Sequence, residues 1–186
     1  MTLLKIFDEA ANLICESEDL EFIQNSLGSS GVSIERWDSP PVEDFSDAEV
    51  LKFYENEIEK IKNNYGFKAV DLMSVNPELA HREDFPAMRN KFLKEHTHAD
   101  DEVRYFISGS GLFTIHHLDR VYSILCSAGD FIRVPANTWH WFDMGLTPQF
   151  KCLRFFTDES GWIPCYHEES ISHRFDLNQE NSNTII

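Results

Sequence analysis

The second half of this chain contains a series of short β-type runs separated by small turn sequences, and this pattern limits the folds that the chain can adopt. The turns are rich in glycine and aspartate, as in Gly109-Ser110-Gly111 and Ala128-Gly129-Asp130. Short strands at close spacing with tight connections are typical of an antiparallel barrel or jelly roll. The predicted strands are 103–108, 112–117, 121–126, 131–134, 139–142 and 150–157.

The part of the chain before these runs has helical patterns with recognisable ends. Residues 20–27 place apolar side chains at helical spacing and are followed by Gly28, a residue typical of helix C-termini. Ser46 and Glu49 are spaced as a capping box, and the segment after them carries apolar residues on one face up to Gly66. We expect these helices to pack on the barrel.

Length and composition fit one acidic globular domain. A chain of 186 residues with 42% hydrophobic residues can bury a substantial core. We therefore expect a single domain over residues 1–186. Within it we predict a mainly helical part at 1–66, a barrel core at 67–166 and a polar C-terminal tail at 167–186.

The charge balance argues against two classes of partner. Sixteen basic side chains stand against 32 acidic ones, which gives a formal net charge of −16. Nucleic acids and anionic membrane surfaces need a basic face, so we expect neither as a partner. The sequence has no secretory signal pattern, no apolar run of membrane-spanning length and no CxxC among its four cysteines. We therefore predict a cytoplasmic protein with reduced thiols.

The sharpest local feature is a set of four metal-ligating residue types around the predicted strands. His96 and His98 are two residues apart, so on a strand both point to the same side of the sheet. Glu102 follows, and His140 lies on a later strand. Three imidazoles and one carboxylate suit Fe(II), Mn(II), Ni(II) or Zn(II), and an octahedral ion would keep two positions open.

Scattered surface histidines are the alternative interpretation, since the chain has eight of them. We favour the metal site because these four residues recur at a spacing that barrel strands and turns would bring together. The remaining histidines have no partners of this kind; His116 and His117 are adjacent, so on a strand they face opposite sides. This group comprises His81, His116, His117, His167 and His173.

Strand parity places two arginines near the predicted metal site. Counting by twos from His98 reaches Glu102 and Arg104, and Arg154 lies in an apolar row of its own strand. An arginine that faces a barrel interior must be paired or must await an anion, so a structural ion pair is the alternative for Arg154. Two inward arginines beside a metal favour an anionic oxygen ligand. An apolar wall could come from Phe92, Phe142, Phe156 and Trp162.

The motifs around these residues resemble those of the cupin superfamily. The first cupin motif is matched by His96, His98, Glu102 and Gly109, and the second by Gly129, Pro135 and His140. Asn90 and Asn137 replace glycines of the pattern, but asparagine tolerates left-handed backbone, so the turn at Asn137 should survive. Within the cupins, the chain is similar to the bacterial acireductone dioxygenases of methionine salvage. The likeness covers about residues 19–166 and is carried by EHTHADDEVRYFISGSGLF, GDFIRVPANTWHWFDMG, FTDESGWI and GVSIERWD.

The resemblance implies a specific chemistry. One Fe(II) or Ni(II) ion per monomer would be bound by the four ligands, and an acireductone, an enediol ketone that binds as a dianion, would be cleaved by dioxygen. With Fe(II) the implied products are formate and the keto-acid precursor of methionine. With Ni(II) they are formate, carbon monoxide and methylthiopropanoate. The family also suggests a monomer.

Family roles carry over onto further positions. Arg104 would form or hold the substrate dianion, Asp101 would act as a nearby base or relay, and Glu95 would assist metal uptake. Asp101 lies off the ligand face by strand parity, so its role rests on the resemblance alone. The pocket would be shaped by Phe92, Phe142, Arg154 and Trp162.

Two other functions remain open from the sequence. A cupin can use its metal for isomerisation or hydrolysis without oxygen, but this chain lacks a basic cluster for a phosphate substrate. A non-catalytic cupin binding module would be expected to have lost a ligand or the inward arginines, and neither is lost.

Overall fold

The computed structural model describes residues 1–38, 40, 42, 45–157 and 163–175. Each helix in the described part of the chain is too short or too polar to span a lipid bilayer. The strands are β1 (Leu3–Asp8), β2 (Leu13–Ser17), β3 (Ser33–Arg36), β4 (Ala69–Val75), β5 (His96–Thr97), β6 (Glu102–His117), β7 (Arg120–Ser127), β8 (Asp130–Val134), β9 (Trp139–Asp143), β10 (Phe150–Phe156) and β11 (Cys165–Tyr166). The α-helices are α1 (Leu20–Leu27), α2 (Asp47–Phe53), α3 (Glu55–Tyr65) and α4 (Phe85–Leu93).

Two antiparallel sheets share the long strand β6. Sheet A has the order β11-β5-β9-β6-β7-β1-β2, and sheet B joins β4, β10, β6, β8 and β3. The first half of β6 pairs in sheet B, and its second half, from Ser110 onward, pairs with β7 and β9 in sheet A. The prediction of a mainly antiparallel β fold is confirmed.

The predicted turn at Gly109-Ser110-Gly111 is wrong, because β6 runs through these residues without reversing. Gly109 has φ +68°, and a Cβ there would collide with the backbone of Gln149. The glycines therefore mark the point where one strand passes from sheet B to sheet A, a role for which glycine is also suited. The local sequence does not separate this bend from a hairpin turn.

The main hydrophobic core lies between the two sheets. Its fully buried side chains alternate along the strands of both sheets, as in a sandwich or jelly roll. Representative members are Phe106 and Phe113 of β6, Ile124 of β7, Phe142 of β9 and Cys152 of β10.

Helices α2 and α3 cover the outer face of sheet B. Ser46 and Glu49 form the predicted capping box, and Gly66 ends α3 in the left-handed conformation. The apolar face of the helix pair, which includes Val50 and Ile58, packs with Leu153 and other residues of the sheet. The expectation that N-terminal helices pack on the barrel is confirmed.

The first 66 residues are mixed rather than mainly helical. Strands β1 and β2 form a hairpin that extends sheet A through β7, and β3 pairs with β8 in sheet B. The sequence analysis did not predict the hairpin, because its second strand is largely exposed and its apolar and polar residues do not alternate clearly. Leu13 and Ile14 are both exposed.

The polar tail prediction is also wrong for residues 167–175. Ile171 and Phe175 are buried against Phe7, Val121 and Trp141 on the outer face of sheet A. Two apolar side chains among polar neighbours are enough to fix this segment, because the sheet offers them an apolar surface. The remainder of the predicted tail, 176–186, lies outside the described residues.

A candidate metal centre and its pocket

The four predicted ligands meet at the ends of three strands. His96 of β5 lies directly opposite His140 of β9, His98 follows β5, and Glu102 is the first residue of β6. One ligand atom from each residue lies within 4.8 Å of the others, and all four side chains are buried. Strand pairing therefore brings together residues that are 44 positions apart in the sequence.

The three imidazoles are held in one tautomer by main-chain carbonyl groups. Each Nδ1 faces a carbonyl oxygen, which can only accept a hydrogen bond, so Nδ1 carries the hydrogen and Nε2 is the unprotonated nitrogen. The pairs are His96 with Lys94 (2.6 Å), His98 with Ile163 (3.2 Å) and His140 with Thr138 (2.8 Å). Imidazoles that ligate metals have this arrangement.

The Glu102 carboxylate faces these nitrogens. Its Oε2 lies 3.1 Å from Nε2 of His98 and 3.1 Å from Nε2 of His140. With the hydrogens on Nδ1, these three atoms all act as electron-pair donors, and a cation between them stabilises the arrangement. The three nitrogens and one carboxylate therefore fit a divalent transition metal.

Protonation states in the site also favour metal binding. Burial lowers the pKa of His96 to about 4, with a further contribution from His140. Burial alone would raise the pKa of Glu102, but the positive charge of Arg104 opposes this effect and helps to keep that pKa well below its usual range. Near neutral pH the site thus has a neutral imidazole and an ionised carboxylate, the forms that bind metals.

Arg104 lies beside the ligands, as strand parity predicts. Its Nη2 is 2.9 Å from Oε1 of Glu102, and its guanidinium carbon lies 4.2 Å from the ring centre of Phe142 and 5.1 Å from that of Phe113. A Cβ at position 111 would overlap the Phe142 ring, so Gly111 permits this stacking. The sequence analysis did not assign Gly111 and Phe113 to the site, because their role depends on which strands approach each other closely.

Arg154 forms a structural ion pair, which the sequence analysis gave as the alternative to binding an anionic ligand. Its Nε and Nη2 donate to the two carboxylate oxygens of Asp71 at 2.8 and 2.6 Å. Its guanidinium carbon lies 5.5 Å from the ring centre of Phe156. Arg154 and Asp71 both line the cavity that contains the candidate ligands, so the pair belongs to the site.

A cavity of about 590 Å³ opens onto the candidate ligands. The predicted wall residues Phe92, Phe142 and Phe156 line it, whereas Trp162 lies outside the described residues. The other wall residues come from β4, α4 and the segment after residue 162. The sequence analysis did not predict that these three elements line the pocket. These wall residues are Ala69, Val70, Asp71, Lys91, Pro164 and Tyr166.

Asp101 is not among the residues that line the cavity. Its carboxylate accepts hydrogen bonds from Nε of Arg133 at 2.6 Å and from the Ala136 amide at 2.9 Å. The next residue of that turn, Asn137, has φ +61° and donates its amide to the His98 carbonyl at 2.8 Å. Asp101 therefore holds the turn that supports His98, and the expectation of a left-handed Asn137 is confirmed.

Glu95 is buried on the outer side of sheet A, where it contacts a histidine that the sequence reading set aside. Its Oε1 lies 2.6 Å from Nδ1 of His116, and its Oε2 accepts the Ile171 amide at 2.9 Å. Nε2 of His116 lies 3.1 Å from Glu9. His116 thus has acidic partners but is not in the metal cluster.

His116 predicts a pH-dependent contribution to stability. Hydrogen bonding to Glu95, with a smaller effect of Glu9, raises the pKa of His116 above its usual 6.5. The folded state therefore binds the proton more tightly than the unfolded chain, and this stabilisation is full below about pH 6.5 and is lost as the pH rises through the raised pKa. We expect the stability difference between wild type and His116→Gln to shrink as the pH rises.

Urea unfolding at a series of pH values measures this difference. His117→Gln, on the same strand but outside the Glu95 cluster, is the matched control. A His116→Gln difference that stays constant or grows towards high pH would contradict the assignment.

Comparisons with known proteins agree with this geometry. A family model described as the ARD/ARD' family matches residues 8–164. A curated acireductone dioxygenase of Aquifex aeolicus is 43% identical over 97% of this chain and 98% of its own length. Another, of Hydrogenobaculum sp., is 42% identical over 92% of this chain and 93% of its own.

A solved structure gives a similar result for the fold. It is described as acireductone dioxygenase from Bacillus anthracis with a cadmium ion in its active centre. It superposes with a TM-score of 0.76 at 29% identity and covers 89% of this chain and 98% of its own.

Proposed function

This chain belongs to the ARD/ARD' family, and we propose that it is a metal-dependent acireductone dioxygenase, which cleaves an enediol ketone with dioxygen. The observation that carries the proposal is the buried cluster of His96, His98, Glu102 and His140 at the base of a cavity large enough for a small molecule. Curated relatives named acireductone dioxygenase match most of the chain.

The four-residue cluster would hold one divalent metal ion per chain, which we propose to be Fe(II) or Ni(II). The mixed nitrogen and oxygen donors suit both ions, and the Bacillus anthracis relative contains a cadmium ion in its active centre. When bound, the ion supplies Lewis acidity that favours the doubly deprotonated enediol. We propose that the metal sets the products: formate and a keto acid with Fe(II), or formate, carbon monoxide and methylthiopropanoate with Ni(II).

The residues around the cluster would bind and orient the substrate. Arg104 would offer its guanidinium to the anionic oxygens of the enediolate, and Phe142 holds that guanidinium in place by stacking. Apolar side chains would exclude water from the substrate and contact its thioether chain. We propose this role for Phe92, Phe142, Phe156 and Trp162, with Arg154 as a further substrate-binding residue.

Asp101 and Glu95 would act through neighbours rather than on the substrate. Asp101 supports the turn whose Asn137 contacts the His98 carbonyl, and Glu95 precedes His96 and holds the segment around Ile171. We propose that both position metal ligands. A cytoplasmic monomer is also proposed, supported by the family resemblance and by a net charge of −16, which opposes self-association.

Oxygen uptake tests the proposed function directly. Metal-free protein is loaded anaerobically with Fe(II) or with Ni(II) and then mixed with acireductone and dioxygen. We expect dioxygen consumption and formate with both metals, and carbon monoxide with Ni(II) alone. No uptake by the metal-loaded protein would reject the proposal, and anaerobic turnover of the substrate would favour an isomerase.

A further inference from the structure

Strand register places three charged residues in one row across sheet B. Asp71 of β4 lies opposite Arg154 of β10, and Arg154 lies opposite Arg104 of β6. Directly opposed residues project on the same face, so both guanidinium groups face the cavity side. Like charges opposite one another are destabilising in a sheet. The row is tolerated because each arginine has a carboxylate of its own: Asp71 for Arg154 and Glu102 for Arg104.

The Asp71–Arg154 pair has the geometry of an orienting contact. Two parallel hydrogen bonds, at 2.8 and 2.6 Å, fix the plane of the guanidinium, and Phe156 lies under it. A bidentate pair restricts an arginine more strongly than a single hydrogen bond does.

Stability alone is a weak reason for this pair. The side chain of Asp71 is 46% exposed and that of Arg154 is 26% exposed, and ion pairs in such surroundings contribute little. A carboxylate in the wall of a pocket that takes an anion also opposes binding through its charge. Its presence there is explained if it orients a group that the substrate needs.

We propose that Asp71 is a positioning residue, which fixes the Arg154 guanidinium in the wall of the metal-site pocket for contact with the bound substrate. The inference rests on the proposed function, because it takes the ligand to be an anionic enediolate. A guanidinium already held in its binding orientation loses less conformational freedom when the substrate arrives. Arg104 and the metal would attract the charge, and the Asp71–Arg154 pair would set the orientation.

Steady-state kinetics of the metal-loaded enzyme test the proposal. For Asp71→Asn and for Arg154→Gln we expect KM to rise about tenfold, with kcat within about twofold of wild type. The double variant should be no worse than either single variant, because both changes remove the same oriented group. An unchanged KM in Asp71→Asn, or additive effects in the double variant, would overturn the proposal.

Reversal of the pair separates positioning from a structural role. The variant with Asp71→Arg and Arg154→Asp restores an ion pair between the same strands but moves the guanidinium to β4. We expect its Tm to return towards that of wild type while KM stays raised. Recovery of the wild-type KM would show that any ion pair suffices and would overturn the proposal.

A matched control exists elsewhere in the chain. Arg82 and Asp84 form a pair of the same geometry, at 2.8 and 2.6 Å, on the exposed surface and away from the cavity lining. Asp84→Asn should leave KM unchanged. A rise in KM equal to that of Asp71→Asn would count against a specific role for the pocket pair.

A binding measurement keeps this inference distinct from the proposed function. The Ni(II)-loaded protein is titrated anaerobically with 4-nitrocatechol, a coloured catecholate whose two adjacent oxygens resemble those of an enediolate. Binding is measured from the change in its absorbance. Weaker binding by Asp71→Asn than by wild type and Asp84→Asn would support the positioning role even if wild type consumed no dioxygen with acireductone. Equal binding by all three proteins, with normal dioxygen consumption by wild type, would reject the positioning role alone.

Discussion

Glu102→Ala should abolish metal retention and dioxygen consumption. The substitution removes the carboxylate of the ligand cluster and leaves two imidazole nitrogens without the oxygen that lies 3.1 Å from each. Loss of groups that merely support a ligand typically costs about 10- to 100-fold in metal affinity, so loss of the ligand itself should cost more than about 100-fold. His96→Ala should have the same outcome. Metal analysis after dialysis against a chelator measures the loss.

Glu102→Ala also removes the negative charge beside buried Arg104, and breaking a buried ion pair costs about 3–5 kcal/mol. Thermal unfolding of the metal-free proteins therefore accompanies the metal analysis, with Glu102→Gln as the variant that keeps the side-chain volume. His117→Ala is the control, because this histidine lies on the same strand outside the cluster. Equal metal retention in Glu102→Ala and His117→Ala would contradict the assignment of the centre.

Arg104→Ala should lose turnover while the protein still binds its metal. Arg104 is not a ligand, but its guanidinium is buried beside the cluster and would meet the charge of the enediolate. Removal of one preorganised group that stabilises developing charge typically lowers kcat by about 100- to 1000-fold. Dioxygen uptake and metal content are measured on the same preparation.

Arg104→Lys tests whether charge alone is sufficient. An ammonium group keeps the positive charge but cannot stack on the Phe142 ring as a planar guanidinium does, so we expect only partial recovery of turnover. Arg82→Gln, on the exposed surface, should behave like wild type. Metal loss in Arg104→Ala in proportion to the loss of turnover would mean that Arg104 serves the metal site rather than the substrate.

The sequence predicts the central strands well because their signal is local. Alternating apolar residues and turn residues placed β7, β8, β9 and β10 within about one residue of their observed bounds. Strands β5 and β11 contain two residues each and exist only through pairing, so no periodicity could reveal them. The β6 bend was misread because glycine suits both a turn and a bend.

The residues of the site that the sequence predicted are those that lie close together in a local motif. The period of two places Glu102 and Arg104 on one face of β6, whereas His98, which the same reasoning joined to His96, lies just beyond β5. Asp71 and Tyr166 could not be found in this way, because their place in the pocket depends on which strands become neighbours. The Glu95–His116 contact was missed for the same reason: strand parity gives the face of a residue but not its partner.

The shared strand β6 has a consequence for the lifetime of the metal centre. Glu102 and Arg104 lie on its sheet B half, while its sheet A half pairs with β7 and β9. Local opening of either sheet must break hydrogen bonds of this one strand, so exposing Glu102 by partial unfolding should cost a large part of the free energy of unfolding. Metal release by partial unfolding should therefore begin at His96 and His98, which lie on and just beyond the two-residue strand β5.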